Sequence, residues 1–356
     1  MGQTQDRPCL AIDAMGGDHG PEVVLPGALQ AARKDNLSLL LVGDETVISR
    51  ELSRLDVHGL NLEIVHASEV IGMSEKPSEA LRRRKNSSIQ AAFKKVREKK
   101  AQGVVSAGNS GATLGCGMFV LGRIKGIERP ALASILPTEK KPAILLDVGA
   151  NVDCKPYHLA QFGIMADVLA KYVLHIDNPR VGLLTIGEEE GKGNNLTREA
   201  SRLLSMSSLN FIGNVEGRDM FKGDVDVFVC DGFVGNISLK LMEGLALSLT
   251  KLLKTEVKKS ILARLGFLIG IKALKNFTKR IDYAEYGGAP LLGLKGIATV
   301  CHGSSNSKAI YNATRMAGSF VINRANEHMY RGIVTNRELN ILGKKALPAD
   351  SRDKTI

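Results

Sequence analysis

Short apolar runs alternate with stretches of helical period along most of the chain. The runs Cys9–Asp13, Leu37–Val42, Leu62–His66, Gly103–Ser106, Ala131–Ile135, Ala143–Asp147, Val181–Ile186 and Val225–Cys230 are rich in Val, Ile and Leu, the pattern of strands buried on both faces. Between them, Glu22–Lys34, Ser78–Lys100, His158–Val173 and Leu196–Ser205 repeat apolar side chains at helical spacing, with turn residues at the joins. Strands alternating with helices predict a mostly parallel sheet, because parallel neighbours need long crossovers and those crossovers cover the sheet. The expected fold class is α/β, in three α/β/α layers.

From about Ser238 the pattern becomes continuous helix. Leu253, Val257, Ile261, Leu265 and Leu268 recur at helical spacing until Gly266 and Gly270 interrupt the run. This predicts a protruding helical hairpin over 238–281, with an apolar tip, ILARLGFLIG, and basic flanks. One reading packs the hairpin in a dimer interface. The other sets Leu265, Phe267 and Leu268 against a membrane surface. No internal repeat or low-complexity linker marks a boundary, so residues 1–335 are expected to form one α/β/α domain that includes the hairpin. Residues 336–356 read as a loosely held polar tail.

Composition narrows the function classes. A chain of 356 residues with 44% hydrophobic content can bury a sizeable core. Its 48 Lys+Arg against 37 Asp+Glu leave a net charge of +11, and residues 251–280 alone hold nine basic side chains against one acid, Glu256. Trp is absent and aromatics are 4%, which disfavours the stacking platforms of single-strand nucleic-acid binders; no nucleic-acid partner is expected. No apolar stretch reaches about 18 residues, so no transmembrane span is expected. The start, MGQTQDRPCL, has no apolar signal core, and Asp6 breaks the myristoylation pattern. The 5 cysteines form no CxxC and suit a reducing cytoplasm. The 7 histidines are scattered, and no metal site is expected.

The clearest loops follow strands, where open α/β sheets place ligands. They are Ala14–Gly20, Ala107–Gly117, Val148–Lys155 and Asp231–Asn236, expected to ring one cleft. No GxGxxG follows the first strand, and Gly187–Asn194 lacks the form of a Walker A loop, so neither a nicotinamide nor an ATP cofactor is expected. Gly108-Asn109-Ser110-Gly111 is one residue short of the GxSxG elbow, and Ser110 is not read as a nucleophile. Cys9 and Cys230 lie in apolar strands, where inert packing is the natural role. Two N–H-rich segments, Ser106–Thr113 and His302–Asn306, each follow a strand signal or open a helix. Such places bind anions, although each is also an ordinary turn sequence. With Arg82, Arg83, Arg84, Lys85, Ser87 and Ser88 available, they point to an oxyanion or phosphate ligand.

Eight segments, in order, carry a family resemblance: AIDAMGGDHGP (Ala11–Pro21), LRRRKNSSI (Leu81–Ile89), GVVSAGNSGATLG (Gly103–Gly115), LLDVGANVDCKP (Leu145–Pro156), VGLLTIGEEEGKGN (Val181–Asn194), FIGNVEGRD (Phe211–Asp219), VCDGFVGNISLK (Val229–Lys240) and YGGAPLLGLKG (Tyr286–Gly296). Over roughly residues 9–332 the chain resembles the bacterial acyl-ACP:phosphate acyltransferases of phospholipid synthesis. Asn86 and Thr185 depart from the pattern, where aspartate and asparagine are expected. The resemblance implies a homodimer with a Rossmann-like fold related to isocitrate dehydrogenases and phosphate acetyltransferases. It implies a cofactor-free reaction of orthophosphate with long-chain acyl-ACP to give acyl phosphate and free ACP. It also implies delivery to a membrane glycerol-3-phosphate acyltransferase, from a cytoplasmic enzyme held peripherally at an anionic membrane surface.

The residue chemistry fits that reaction. Phosphate is an anionic nucleophile near neutrality, its esters having a second pKa of about 6, and a thiol of pKa about 8.5 leaves as thiolate without strong acid help. Orientation, charge compensation and oxyanion donors are what remain to be supplied. Gly108, Asn109, Ser110 and Gly111, with Ser87, Ser88, His302 and Ser304, are assigned to the phosphate or oxyanion. Lys85, Asp147, Asn151, Asp153, Lys155, Asp231 and Asn236 are assigned to catalysis and reactant positioning, and Asp13, Gly16, Gly17 and Asp18 to loop positioning. For the aspartates the competing role is bracing through Asx turns and helix caps. Two other functions compete: an oxidoreductase of isocitrate-dehydrogenase type, and a non-catalytic membrane scaffold.

Overall fold

The computed structural model describes residues 7–273, 277 and 283–339. Its strands are β1 (Cys9–Asp13), β2 (Ser38–Gly43), β3 (Asn61–His66), β4 (Gly103–Ser106), β5 (Ala131–Leu136), β6 (Ala143–Leu146), β7 (Val181–Leu184), β8 (Phe211–Val215), β9 (Val227–Val229), β10 (Ala289–Leu292) and β11 (Ile297–Val300). The helices are α1 (Pro21–Asp35), α2 (Glu45–Leu52), α3 (Pro77–Arg83), α4 (Ser88–Arg97), α5 (Ser110–Cys116), α6 (Pro156–Tyr172), α7 (Asn195–Ser205), α8 (Gly232–Lys259), α9 (Ile261–Ile269), α10 (Ser307–Ile322) and α11 (Ala325–Thr335). All the strands join one sheet in the order β3-β2-β1-β4-β11-β10-β5-β6-β9-β7-β8. The α/β class expected from the alternating runs is what forms.

Side chains alternate across the sheet, as strand geometry requires. Leu10 and Ile12 of β1 enter the largest core cluster with residues of α1, α6 and α10. Ala11 faces the other way, into a second cluster with Phe93 and Val96 of α4 and Ala112 and Cys116 of α5. Helix α6 is buried on every side from Tyr157 to Ala170, mostly apolar with His158, Gln161 and Asp167 among the buried side chains, so it shows no single apolar stripe.

Strand direction reverses in the middle of the sheet. β3, β2, β1, β4 and β11 are mutually parallel. The pairs β11–β10, β10–β5 and β5–β6 are antiparallel, and β6, β9, β7 and β8 are parallel again. The carboxyl ends of β1, β4 and β11 therefore open at one end of the sheet, and those of β6, β9 and β7 at the other.

Three expected boundaries change. The helix expected over Ser78–Lys100 is two helices, because Ser88 N–H donates to Glu69 O at 2.9 Å and Asn86 N–H to Glu69 Oε2 at 3.0 Å, pulling Arg84–Ser87 out of helical form. The glycine loops after β4 and β9 are shorter than expected, since α5 begins at Ser110 and α8 at Gly232. The tail does not loosen at 336: Asn336 Oδ1 accepts the Ser208 N–H at 3.0 Å, and Leu339 is buried in the core. The rest of that tail, 340–356, lies outside the described residues, as do 274–276 and 278–282 of the hairpin.

Candidate active site

Three loops meet where β1, β4 and β11 end. Asp13, the last residue of β1, is 2% exposed, and its Oδ2 accepts the Ser106 hydroxyl at 2.7 Å. Ser106 Oγ in turn accepts the Gly108 N–H at 3.0 Å. Burial pushes the Asp13 carboxyl above the usual carboxylate range, against hydrogen bonds from Ser88, Ser106 and the Met15 backbone that lower it. Gly16 presses against the next loop: a Cβ there would stand 2.7 Å from the Gly108 nitrogen. Gly17 takes φ 88°, a left-handed value that glycine adopts without strain. Asp18 N–H donates to Gly303 O at 2.9 Å, tying the first loop to the third. Asp13, Gly16, Gly17 and Asp18, read from the sequence as loop-positioning residues, all lie in this loop junction.

The turn into α5 uses its polar groups differently from the assignment to an anion. Asn109 is the N-cap of α5: its Oδ1 accepts the Ala112 N–H at 3.0 Å, and its Nδ2 donates to Met73 O at 3.1 Å and Glu75 O at 3.0 Å. That amide locks the 72–75 segment to the helix and has no donor left for a ligand. Gly108 N–H is likewise engaged, by Ser106. The N–H groups of Ser110 and Gly111 have no carbonyl to bond within their own helix, and the Ser110 side chain is exposed. Around them, Ser87 and Ser305 are 0% and 3% exposed, and the hydroxyl of each is without a hydrogen-bond partner among the described residues. Ser88 is buried, its hydroxyl on Asp13. His302 Nδ1 and Ser304 Oγ lie 2.8 Å apart on the exposed part of the third loop. Arg84 is committed to Glu75 at 3.0 Å, while Arg82, Arg83 and Lys85 are cations close to or on the surface, Arg82, Arg83 and Lys85 all being exposed.

A cleft of about 550 Å³ begins at this loop cluster. Ser110 and His302 form one end; Leu132, Ser134 and Leu136 of β5 and Ala289 of β10 line it, and Leu239, Met242 and Ala246 of α8 close it from above. The lining is mostly apolar and the volume is ordinary for a small-molecule site. On β5, Leu132 and Ser134 face the cleft, half-buried, while Ala131 and Ala133 point into the main core. Sequence reasoning missed the apolar part of this lining, and it reached Ser106 and Ser305 only as members of their N–H-rich segments, with no role of their own. The signal for Ser106 is a polar residue ending an apolar strand; for the cleft there is none short of knowing the strand order.

The remaining assigned residues form a separate cluster at the opposite end of the sheet, so the four loops do not ring one cleft. Asp147 is 0% exposed and accepts four hydrogen bonds, from the N–H groups of Leu132 (2.9 Å), Ala150 (3.1 Å) and Asn151 (2.7 Å) and from Asn151 Nδ2 (2.8 Å). Burial still raises its carboxyl. Asn151 Nδ2 also reaches Pro130 O at 2.8 Å. Asp231 caps α8, its Oδ1 accepting the Val234 N–H at 2.8 Å. The start of α8 is pressed onto this loop so closely that a Cβ at Gly235 would fall 1.8 Å from Asp147 O, and Asn236 sits over Gly149. Asp153 and Lys155 are exposed. Asp147, Asn151 and Asp231 thus serve as braces and a cap here, and Asp147 holds the N–H of the cleft-lining Leu132.

The hairpin stem carries exposed Leu241, Leu245, Leu249 and Leu252 on α8, and Leu265 and Leu268 are exposed on α9, with Phe267 half-buried. No helix among the described residues is long and apolar enough to cross a membrane.

Comparison with known proteins agrees with the motif order. Residues 9–328 match the family described as Fatty acid synthesis protein. The chain is 57% identical over 336 residues to the phosphate acyltransferase of Nitratidesulfovibrio vulgaris, covering 94% of this chain and 97% of that protein. It is 60% identical over 338 residues to that of Oleidesulfovibrio alaskensis, covering 95% and 97%. Among solved structures, a phosphotransacetylase from Streptococcus pyogenes superposes with a TM-score of 0.64 at 15% identity, over 89% of this chain and 95% of that one. The EutD phosphotransacetylase from Staphylococcus aureus gives 0.59 at 16% identity, over 88% and 94%. At such identities these two speak for the α/β fold alone. With relatives this similar along nearly its whole length, the chain belongs to the phosphate acyltransferase family of fatty acid and phospholipid synthesis and is an acyltransferase enzyme.

Proposed function

We propose that the chain transfers a long acyl group from acyl-ACP to orthophosphate, giving acyl phosphate and free ACP, with no covalent enzyme intermediate. A phosphate oxygen attacks the thioester carbonyl carbon, the carbon–sulfur bond breaks, and the electron pair leaves with the carrier thiolate. The observation that carries this reading is the apolar cleft ending at Ser110 and His302: one continuous site offers a greasy channel for an acyl chain and N–H and hydroxyl donors for two oxyanions. The Ser110 and Gly111 N–H groups and the Ser87 hydroxyl would hold phosphate or the developing oxyanion, and Lys85 would offset the charge of two anions brought together. Mixing purified protein with acyl-ACP and phosphate, then trapping with hydroxylamine, should give acyl hydroxamate in proportion to phosphate. Hydroxamate that forms equally without phosphate would refute the reading. Lys85→Ala should sharply lower that product with thermal unfolding unchanged, and near-normal turnover would remove Lys85 from the site.

The same reading makes the chain a homodimer working peripherally at an anionic membrane, where a glycerol-3-phosphate acyltransferase consumes the product. The exposed Leu265 and Leu268, with Arg264 between Lys259 and Lys272, support such a contact.

A further inference from the structure

We propose that Phe221 and Met242 form the gauge that sets the acyl-chain length this enzyme accepts; the proposal rests on the acyl-transfer reading above. The order of strands under the cleft gives it a direction. Ser110 follows β4, while Val300, Cys301 and His302 end β11. Next in the sheet come β10, with Ala289, and β5, with Leu132, Ser134 and Leu136. Beyond β5 the lining passes to Phe221, in the short helix Gly217–Phe221 before β9, and to Leu239 and Met242 of α8. Leu239 and Met242 pack on a third core cluster built from Leu136, Leu145 and Phe228 of β5, β6 and β9.

A chain whose thioester sits at Ser110 and His302 therefore crosses the sheet sideways and ends against Phe221 and Met242. From β4 to β5, the last strand in the lining, is three strand positions, about 14 Å at the usual spacing, a span suited to an acyl chain. The far end is bounded by polar groups: Glu139 and Glu243 line the cleft beside these two residues, and Glu139 N–H donates to Phe221 O at 2.8 Å. Methylenes that outgrow the apolar wall meet carboxylates and water, so added length stops contributing to binding there. Ala246 stands one helical turn beyond Met242 on the same face of α8, also in the lining.

The test compares kcat/KM for acyl-ACP donors of increasing length in the parent, Met242→Ala, Phe221→Ala and Ala246→Phe. Phe221 is 44% exposed, so its truncation leaves folding intact even if Met242→Ala weakens the core. The truncations should raise the preference for the longer of two donors differing by two methylenes about tenfold, the worth of burying those groups. Ala246→Phe should move the preference to shorter donors by a similar factor. Acyl phosphate formation with an unchanged length ratio in all three variants would overturn the gauge alone. If the parent makes no acyl phosphate from any donor, the acyl-transfer reading fails and the gauge falls with it.

Discussion

Asn109 separates a residue that holds the site together from one that holds the substrate. Its amide uses both ends on the protein: Oδ1 caps α5 through Ala112, and Nδ2 lies 3.4, 3.1 and 3.0 Å from the carbonyl oxygens of Gly72, Met73 and Glu75. Asn109→Ala loses the cap, worth about 1 kcal/mol, and takes the donor from part-buried carbonyls, at about 1 kcal/mol net; the expected loss is about 2 kcal/mol. Asn109→Asp is the sharper probe. Its carboxylate still caps Ala112, but it turns a negative oxygen onto three carbonyls in a site where Asn109 is buried, and an unpaired buried charge costs several kcal/mol. At neutral pH the aspartate variant should be at least as unstable as the alanine variant. The introduced carboxyl has a folded pKa above its unfolded one, so the deficit should shrink as the pH falls and a protonated oxygen again donates. Urea unfolding at about pH 7 and about pH 5 measures both effects. An Asn109→Asp protein as stable as the parent but inactive would show the amide facing the substrate, and the bracing role would be wrong.

Burial holds the His158 imidazole down to about 4, and its Nδ1 accepts the Lys155 N–H at 3.0 Å. A neutral folded form contributes stability that is complete above the unfolded pKa of about 6.5 and is lost as the pH falls toward the folded value, by about 2–3 kcal/mol; His158→Gln keeps an acceptor and should flatten that part of the urea-midpoint profile, whereas parallel profiles would contradict it. Replacing Leu265, Phe267 and Leu268 with polar residues should release the protein from anionic liposomes in a flotation assay while leaving turnover of soluble acyl-ACP largely intact; binding that survives would clear the apolar tip of anchoring.

Most of the eight apolar runs mark strands buried on both faces, β3 being exposed or half-buried along its length. β8 (Phe211–Val215), mostly half-buried, escapes the same reading, as does the pair β10 and β11. Each of that pair has four residues, and Gly287, Gly288, Gly293 and Gly296 around them make the stretch look like turn. The break at Arg84–Ser87 is hidden for another reason: LRRRK has good helix propensity, and the bonds to Glu69 that break it come from a distant segment. Asn109 and Asp231 are legible as polar residues at helix starts, but a cap and a ligand donor use the same atoms, so only the partners decide. Hydrophobic period also carries no strand direction, which is why Asp147 and Asp231 read as neighbours of Ser110 and stand at the other end of the sheet.

That hidden reversal is what makes the cleft. A parallel pair needs a crossover, and the crossover helix covers the sheet beside it. β5–β6 and β10–β11 are antiparallel neighbours joined by turns alone, Pro137–Pro142 and Gly293–Gly296, so no crossover helix is obliged to lie over this part of the sheet. α5 arrives from the half that ends in β4 and α8 from the half that ends in β9, and the space between them keeps an apolar strand floor at Leu132 and Leu136. The reversal brings this floor against the carboxyl ends of β4 and β11, where N–H groups gather. An acyl thioester and an inorganic anion need those two environments side by side, and the join between the two parallel halves supplies both.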